Sequence, residues 1–310
     1  MINNKQNLIF PLLLSALLMS CETVVDIDVP EEEPKAVINA MFEADEPVKA
    51  EVTKSSTAME KAQAEAVEAA TVVLFKNGES VDTLIKEDVP PEPGVPRRYV
   101  SENYTPEAGN NYRIEVEAEG LDPASAETRL PEEIGETELI SYEPEYREAL
   151  VDEWHKVVVE FPLQEDSYYT VTPVIIYEDQ YGNSTSEGVA FLTSEPRLLH
   201  AGGGEFDQIL GSALLSGEIE MELKEDDDGM IELELYPEAM PSNRDHIGEY
   251  EYQVIIRKVT SDYKNYIRTL RKQDLNRDNP FAERVSVYSN VEQGFGMFSG
   301  YHEERIKLEE

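Results

Sequence analysis

Between Asn111 and Gly120 the chain reads NYRIEVEAEG. Tyr112, Ile114, Val116 and Ala118 occupy every second position, and charged residues fill the positions between. A two-residue period places one set of side chains on each face of an extended strand, whereas a helix would scatter the apolar set around its axis. The segment is therefore read as a strand with one buried face. HKVVVEFPL, YYTVTPVIIY, GEIEMELKE, MIELELYPE and EYQVIIRK read as further strands. Asn77-Gly78 sits between the β-rich runs of Thr71–Ile85, the strongest short hairpin signal. The runs either side of Asp226-Asp227-Asp228-Gly229 are read as a second hairpin. Many short strands separated by turns predict sandwiches or barrels.

Two segments favour helix. Residues 58–70, AMEKAQAEAVEAA, are rich in helix formers but present only a weak alanine face, so a short helix or a loop is expected. Ser261–Asp274 is stronger. Tyr263, Tyr266, Ile267 and Leu270 recur at i, i+3, i+4 and i+7, and Ser261 or Asp262 can cap the start. The acidic, proline-bearing RLPEEIGETE at 129–138 interrupts the strand pattern and marks a boundary. The expectation is a mainly β protein. An N-terminal sandwich over 36–130 precedes a second β-rich domain over 131–310, which carries the one amphipathic helix at 261–274.

Charge narrows the partners. Asp and Glu total 65 against 26 Lys and Arg, a formal net charge of -39. Such a chain repels phosphate backbones, which argues against nucleic-acid binding. The acids are dispersed, as in a solvated surface, rather than gathered into a site. Between Arg257 and Arg284, however, eight basic residues face four acids. This island could dock an acidic partner or lipid headgroups through Lys264, Arg268, Arg271 and Lys272, or it could pair with the chain's own acids.

Catalytic signatures are missing. His155, His200, His246 and His302 form no HExxH motif, and no GxSxG elbow occurs. AGGGEF at 201–206 lacks the Lys-Ser/Thr of a phosphate loop. Aligning Gly229 with an EF-hand glycine puts Lys224 and Leu235 where ligating acids belong, leaving only an incidental calcium turn. YHEER at 301–305 reads as a solvated strand end rather than a metal site. No motif requires a cofactor or a metal. Carboxylate pairs are abundant but unspecific, so an envelope hydrolase stays open as an alternative, as does an adhesin-like structural module.

The leader gives an address. Leu8–Met19 is an uncharged, apolar-leaning run of signal-peptide length, too short to span a bilayer. Leu18, Met19, Ser20 and Cys21 follow, and Cys21 is the single cysteine. The arrangement resembles a bacterial lipoprotein signal, which implies cleavage after residue 20 and acylation of Cys21. Two or three acyl chains anchor stably where one does not. Residues 21–35 then form an acidic tether.

The C-terminal run NPFAERVSVYSNVEQGFGMFSGY is the most distinctive stretch. With SCETVVDIDVP, KAVINAMF, YTPEAGNNYRIEVEAEG and AETRLPEE, it resembles domain of unknown function family 4249, lipoproteins of Bacteroidota envelopes. The resemblance implies an Ig-like or carboxypeptidase-regulatory-like first domain. It also implies an outer-membrane lipoprotein, since members are often encoded beside TonB-dependent receptors. Within the run, Gly294, Gly296 and Gly300 permit tight turns or close backbone approach. Phe295, Met297, Phe298 and Tyr301 supply apolar area, either as a core plug or as an aromatic lip facing a ligand or receptor.

Overall fold

The computed structural model describes residues 33–56, 65–67, 69–88, 97–148, 151–164, 167–179, 181–199, 208–209, 212–215, 218–221, 223, 229–239, 249–276 and 285–309. The leader, Cys21, the 201–206 glycine run, Asp226–Asp228 and Asn279–Phe281 lie outside those residues.

Eight strands come first: β1 Ala36–Phe42, β2 Lys49–Lys54, β3 Glu65–Ala66, β4 Ala70–Lys76, β5 Glu79–Lys86, β6 Arg97–Val100, β7 Asn111–Ala118 and β8 Ala124–Arg129. There follow β9 Glu138–Glu148, β10 Val151–Leu163, β11 Tyr168–Glu178, β12 Ser184–Gly188, β13 Phe191–Thr193 and the short helix α1 Pro196–Leu199. Next are β14 Gln208–Ile209, β15 Ser212–Leu215, β16 Ile219–Met221, β17 Gly229–Pro237 and β18 Tyr250–Val259. Helix α2 Ser261–Asn276 leads to β19 Val291–Glu292 and β20 Phe295–Lys307. The protein is mainly β, as the alternation requires.

Expected local signals appear where turn and period chemistry are strongest. Tyr112, Ile114 and Val116 are buried on β7. Asn77 and Gly78 both take positive φ, 49° and 86°, closing a two-residue turn between Lys76 and Glu79. That backbone matches the right-handed twist of the paired strands.

Two sheets account for the strands. The larger runs β12-β11-β18-β20-β1-β2-β6-β5-β4-β7-β8-β19, with β16 added to β11 and β3 to β2. The smaller runs β14-β15-β13-β17-β10-β9. One core gathers Ile38, Phe42, Val52, Leu74, Tyr99 and Ile114 from the N-terminal strands, together with Val291 and Phe298 from the far end of the chain. A second core lies between β10 and β17 of the smaller sheet and β11 and β18 of the larger. Phe161, Leu233, Tyr169 and Val254 pack there, closed by Ile306 and Leu308. A third, smaller cluster of Val259, Tyr263 and Met297 seats α2.

Three expectations need correction. The second hairpin does not form. β16 pairs with β11, whereas β17 pairs with β10 and β13 in the other sheet. The apolar residues Ile219 and Met221 thereby reach the second core from one side and Ile231, Leu233 and Leu235 from the other, which a hairpin within one sheet would prevent. In the segment expected as a short helix or loop, Glu65 and Ala66 pair with Lys54 and Thr53, and Val67 is buried in the first core. Finally, Tyr301–Arg305 lies inside β20 rather than at a solvated strand end.

β20 belongs to both halves. Phe295–Gly300 pairs in parallel with Val37–Phe42 of β1. Tyr301–Lys307 pairs antiparallel with Gln253–Val259 of β18. The residues of Pro34–Glu310 thus form one compact unit, joined through a single strand.

Candidate functional site at the seam of the two cores

The change of partner along β20 creates a seam, and the C-terminal motif builds it. Asn290 uses its side chain as a strand would use its backbone. Its Oδ1 accepts from Phe298 N at 3.0 Å, and its Nδ2 donates to Phe298 O at 2.8 Å. The same Nδ2 reaches Asp262 at 3.3 Å. Tyr288 donates its hydroxyl to Asp262 at 2.6 Å, and that carboxylate pushes the phenol up to about 12. Ser299 meets Thr260 at 2.7 Å, oxygen to oxygen. Thr260 in turn caps α2, accepting Tyr263 N on its hydroxyl at 3.2 Å. The motif therefore fixes the first turn of α2 against β20.

Glycine makes the close approach possible. A Cβ on Gly296 would strike the Ile38 carbonyl oxygen, and φ there is +106°, where other residues are strained. A Cβ on Gly300 would stand 2.7 Å from Leu130 Cδ1. The expected role of these glycines in close backbone approach is what the geometry uses.

The aromatic residues divide. Phe298 is fully buried and stacks on Phe42 with ring centroids 4.9 Å apart. It plugs the first core, so the alternative of a contact lip is closed to it in this fold. Phe295 is 45% exposed, with the Lys35 ammonium 5.5 Å from its ring centre. Tyr301 is partly buried under the Arg257 guanidinium, 5.3 Å from the ring centre. Burial, and secondarily Glu43, pushes its phenol up to about 12.

The basic island divides as well. Arg257 donates to Glu303 at 2.6 Å and to Glu218 at 3.2 Å. Burial alone would lower its pKa, but Glu218 and Glu303 reverse this and hold it above its ordinary value. Glu218 also accepts from Tyr263 OH and Thr170 Oγ1, each at 2.6 Å. Lys264 lies 3.5 Å from Glu220 and over the Tyr168 ring. Arg271 donates to the Glu218 carbonyl. Lys264 and Arg271 are therefore tied into the chain's own structure, the second of the two alternatives that the sequence leaves open for the island. Arg268 and Lys272 are exposed. On the apolar face Tyr263 is buried, while Tyr266, Ile267 and Leu270 are only half-buried.

Sequence reasoning missed Lys258 as a distinct group. It is 7% exposed on β18, and its ammonium contacts Gln164 Oε1. Burial holds its pKa below the ordinary lysine value. It lines a cavity of about 350 Å³ between Thr128–Glu132, the start of β11 and the first turn of α2. A lysine following Val254–Arg257 near the end of an apolar strand gives no signal in the sequence that its charge will be enclosed.

Geometry of this kind defines a mainly β scaffold whose seam is lined by ion pairs and buried hydroxyls. A family model described as Domain of unknown function (DUF4249) matches residues 22–307, and the chain belongs to that family. No curated protein matches the chain.

Proposed function

We propose that the chain is a lipid-anchored outer-membrane lipoprotein without catalytic activity of its own, serving a TonB-dependent receptor in nutrient uptake. The observation that carries the reading is Leu18-Met19-Ser20-Cys21, placed after an uncharged apolar run in a chain with no other cysteine. Acylation of Cys21 would leave residues 22–32 as a leash before the first described residues. Eleven extended residues reach at most about 40 Å, enough for the fold to meet a membrane-embedded partner from one side. The exposed pair Arg268 and Lys272 supplies positive charge on a strongly acidic molecule, which favours encounter with an acidic surface.

Metabolic labelling with an alkyne fatty acid tests the anchor. The native chain should be labelled and remain with membranes through a high-salt wash, whereas Cys21→Ser should be unlabelled and soluble. A Cys21→Ser chain that stays with the membrane would sink the reading. For the partner, Arg268→Glu with Lys272→Glu should change stability by less than about 0.5 kcal/mol. The same pair should slow association with a receptor co-purified by cross-linking, most visibly at low salt. An unchanged on-rate would remove these residues from the interface.

A further inference from the structure

We propose that the cavity between β8, β11 and the first turn of α2 binds the oxyanion group of a small solute. Three groups on its wall converge on that chemistry. Lys258 is 7% exposed, and among the described residues its one polar contact is the neutral Gln164 side chain. It has three N–H donors, so one amide oxygen leaves hydrogen-bonding capacity unused, while Glu132 acts on its charge without pairing directly with it. Thr128 is 5% exposed, and among the described residues its hydroxyl has no hydrogen-bond partner. Such buried orphans are rare in folded proteins and call for a reason. The third group is the start of a 16-residue helix, where Ser261 and Asp262 carry first-turn N–H groups without intrahelical partners.

The acids on the wall are already engaged. Glu132 meets Arg129 at 3.3 Å. Asp262 accepts from Tyr288 at 2.6 Å and Asn290 at 3.3 Å. Neither lies within ion-pair distance of Lys258 among the described residues. An oxyanion would give Lys258 a hydrogen-bonded counter-charge and lie beside Thr128 at the positive end of the helix. A volume of about 350 Å³ is at the lower end of ligand cavities, the size for a small molecule rather than a polymer. The site goes beyond the receptor reading and stands without it.

Calorimetric titration of the full folded chain with inorganic phosphate and, separately, with acetate tests the proposal and distinguishes phosphoryl from carboxylate ligands. At least one probe should give a saturable one-site isotherm. Lys258→Met, which replaces a buried cation with an apolar chain of similar length, should keep the fold by circular dichroism and weaken binding at least tenfold. Thr128→Val, close in shape, should weaken it several-fold and serves if Lys258→Met does not fold. Absence of binding by both probes overturns the proposal. So does binding that survives in Lys258→Met, or in Thr128→Val where that variant stands in.

Discussion

The two halves of β20 solve the same problem by different means. From Phe295 to Gly300 the strand is fitted by shape. Gly296 lies against the Ile38 carbonyl, Gly300 against Leu130, and Phe298 fills the first core. From Tyr301 to Lys307 it is fitted by charge. Glu303 takes Arg257 on one oxygen and Arg305 on the other, each at 2.6 Å, and His302 meets Glu304 at 3.0 Å. Steric fit has no tolerance for added atoms, because packed interiors lack room for them. Ionic fit is more forgiving, since side chains and solvent can rearrange around a lost charge. Substitutions in the first half should therefore cost more than substitutions in the second.

The largest effect should come from Gly296→Val. A branched side chain at φ +106° against a backbone oxygen forces β20 away from β1. A loss of roughly 4 kcal/mol or more is expected in urea unfolding. An unfolding free energy within about 1 kcal/mol of the native chain's would refute fitting by shape. Phe298→Ala should come next, at about 3 to 5 kcal/mol, by deleting a ring enclosed by the first core. Glu303→Gln should cost about 2 kcal/mol, because Arg257 loses one carboxylate in a largely enclosed position but keeps Glu218. If Glu303→Gln proves costlier than Phe298→Ala, the ranking of shape over charge is wrong.

The smallest effect carries a sign. Burial, followed by the nearby negative charge of Glu303, holds the Glu43 carboxyl above its ordinary value of 4.5. The folded state then binds this proton more tightly than the unfolded state. Its contribution is intact at acid pH and declines as pH rises from the unfolded value through the folded one. Glu43→Gln should therefore stabilise the protein at pH 7, by less than about 1 kcal/mol, and leave it nearly unchanged at pH 4. Equal gains at both pH values would show that charge is not the cause.

The comparison also explains what could be read from the chain. Alternation assigned Tyr112, Ile114 and Val116 to a buried face, and Asn77-Gly78 announced its turn, because both signals are local. Partner choice is not local. Asp226–Gly229 looked like a reversal, yet nothing in its composition says that β16 and β17 enter different sheets. The positive charges around α2 were visible, but their acids, Glu218 and Glu220, lie some 45 residues earlier and meet them only through β11. Lys258 was hidden for the same reason. The glycines of the C-terminal motif were legible as sites of close approach, though the surface they approach was not.

One consequence of β20 concerns time rather than energy. Val37 enters β1 early in synthesis, but its neighbour Phe295 is made after both cores have been almost completely spelled out. Until then β1 and β18 each present an open edge, and each core lacks part of its lid. Contacts so distant in sequence form slowly. An unfinished or prematurely released chain would carry two vacant slots of matching width, each able to accept a stray strand. Arrival of one thirteen-residue strand closes both together, so a chain halted anywhere before Phe295 leaves both cores open at once.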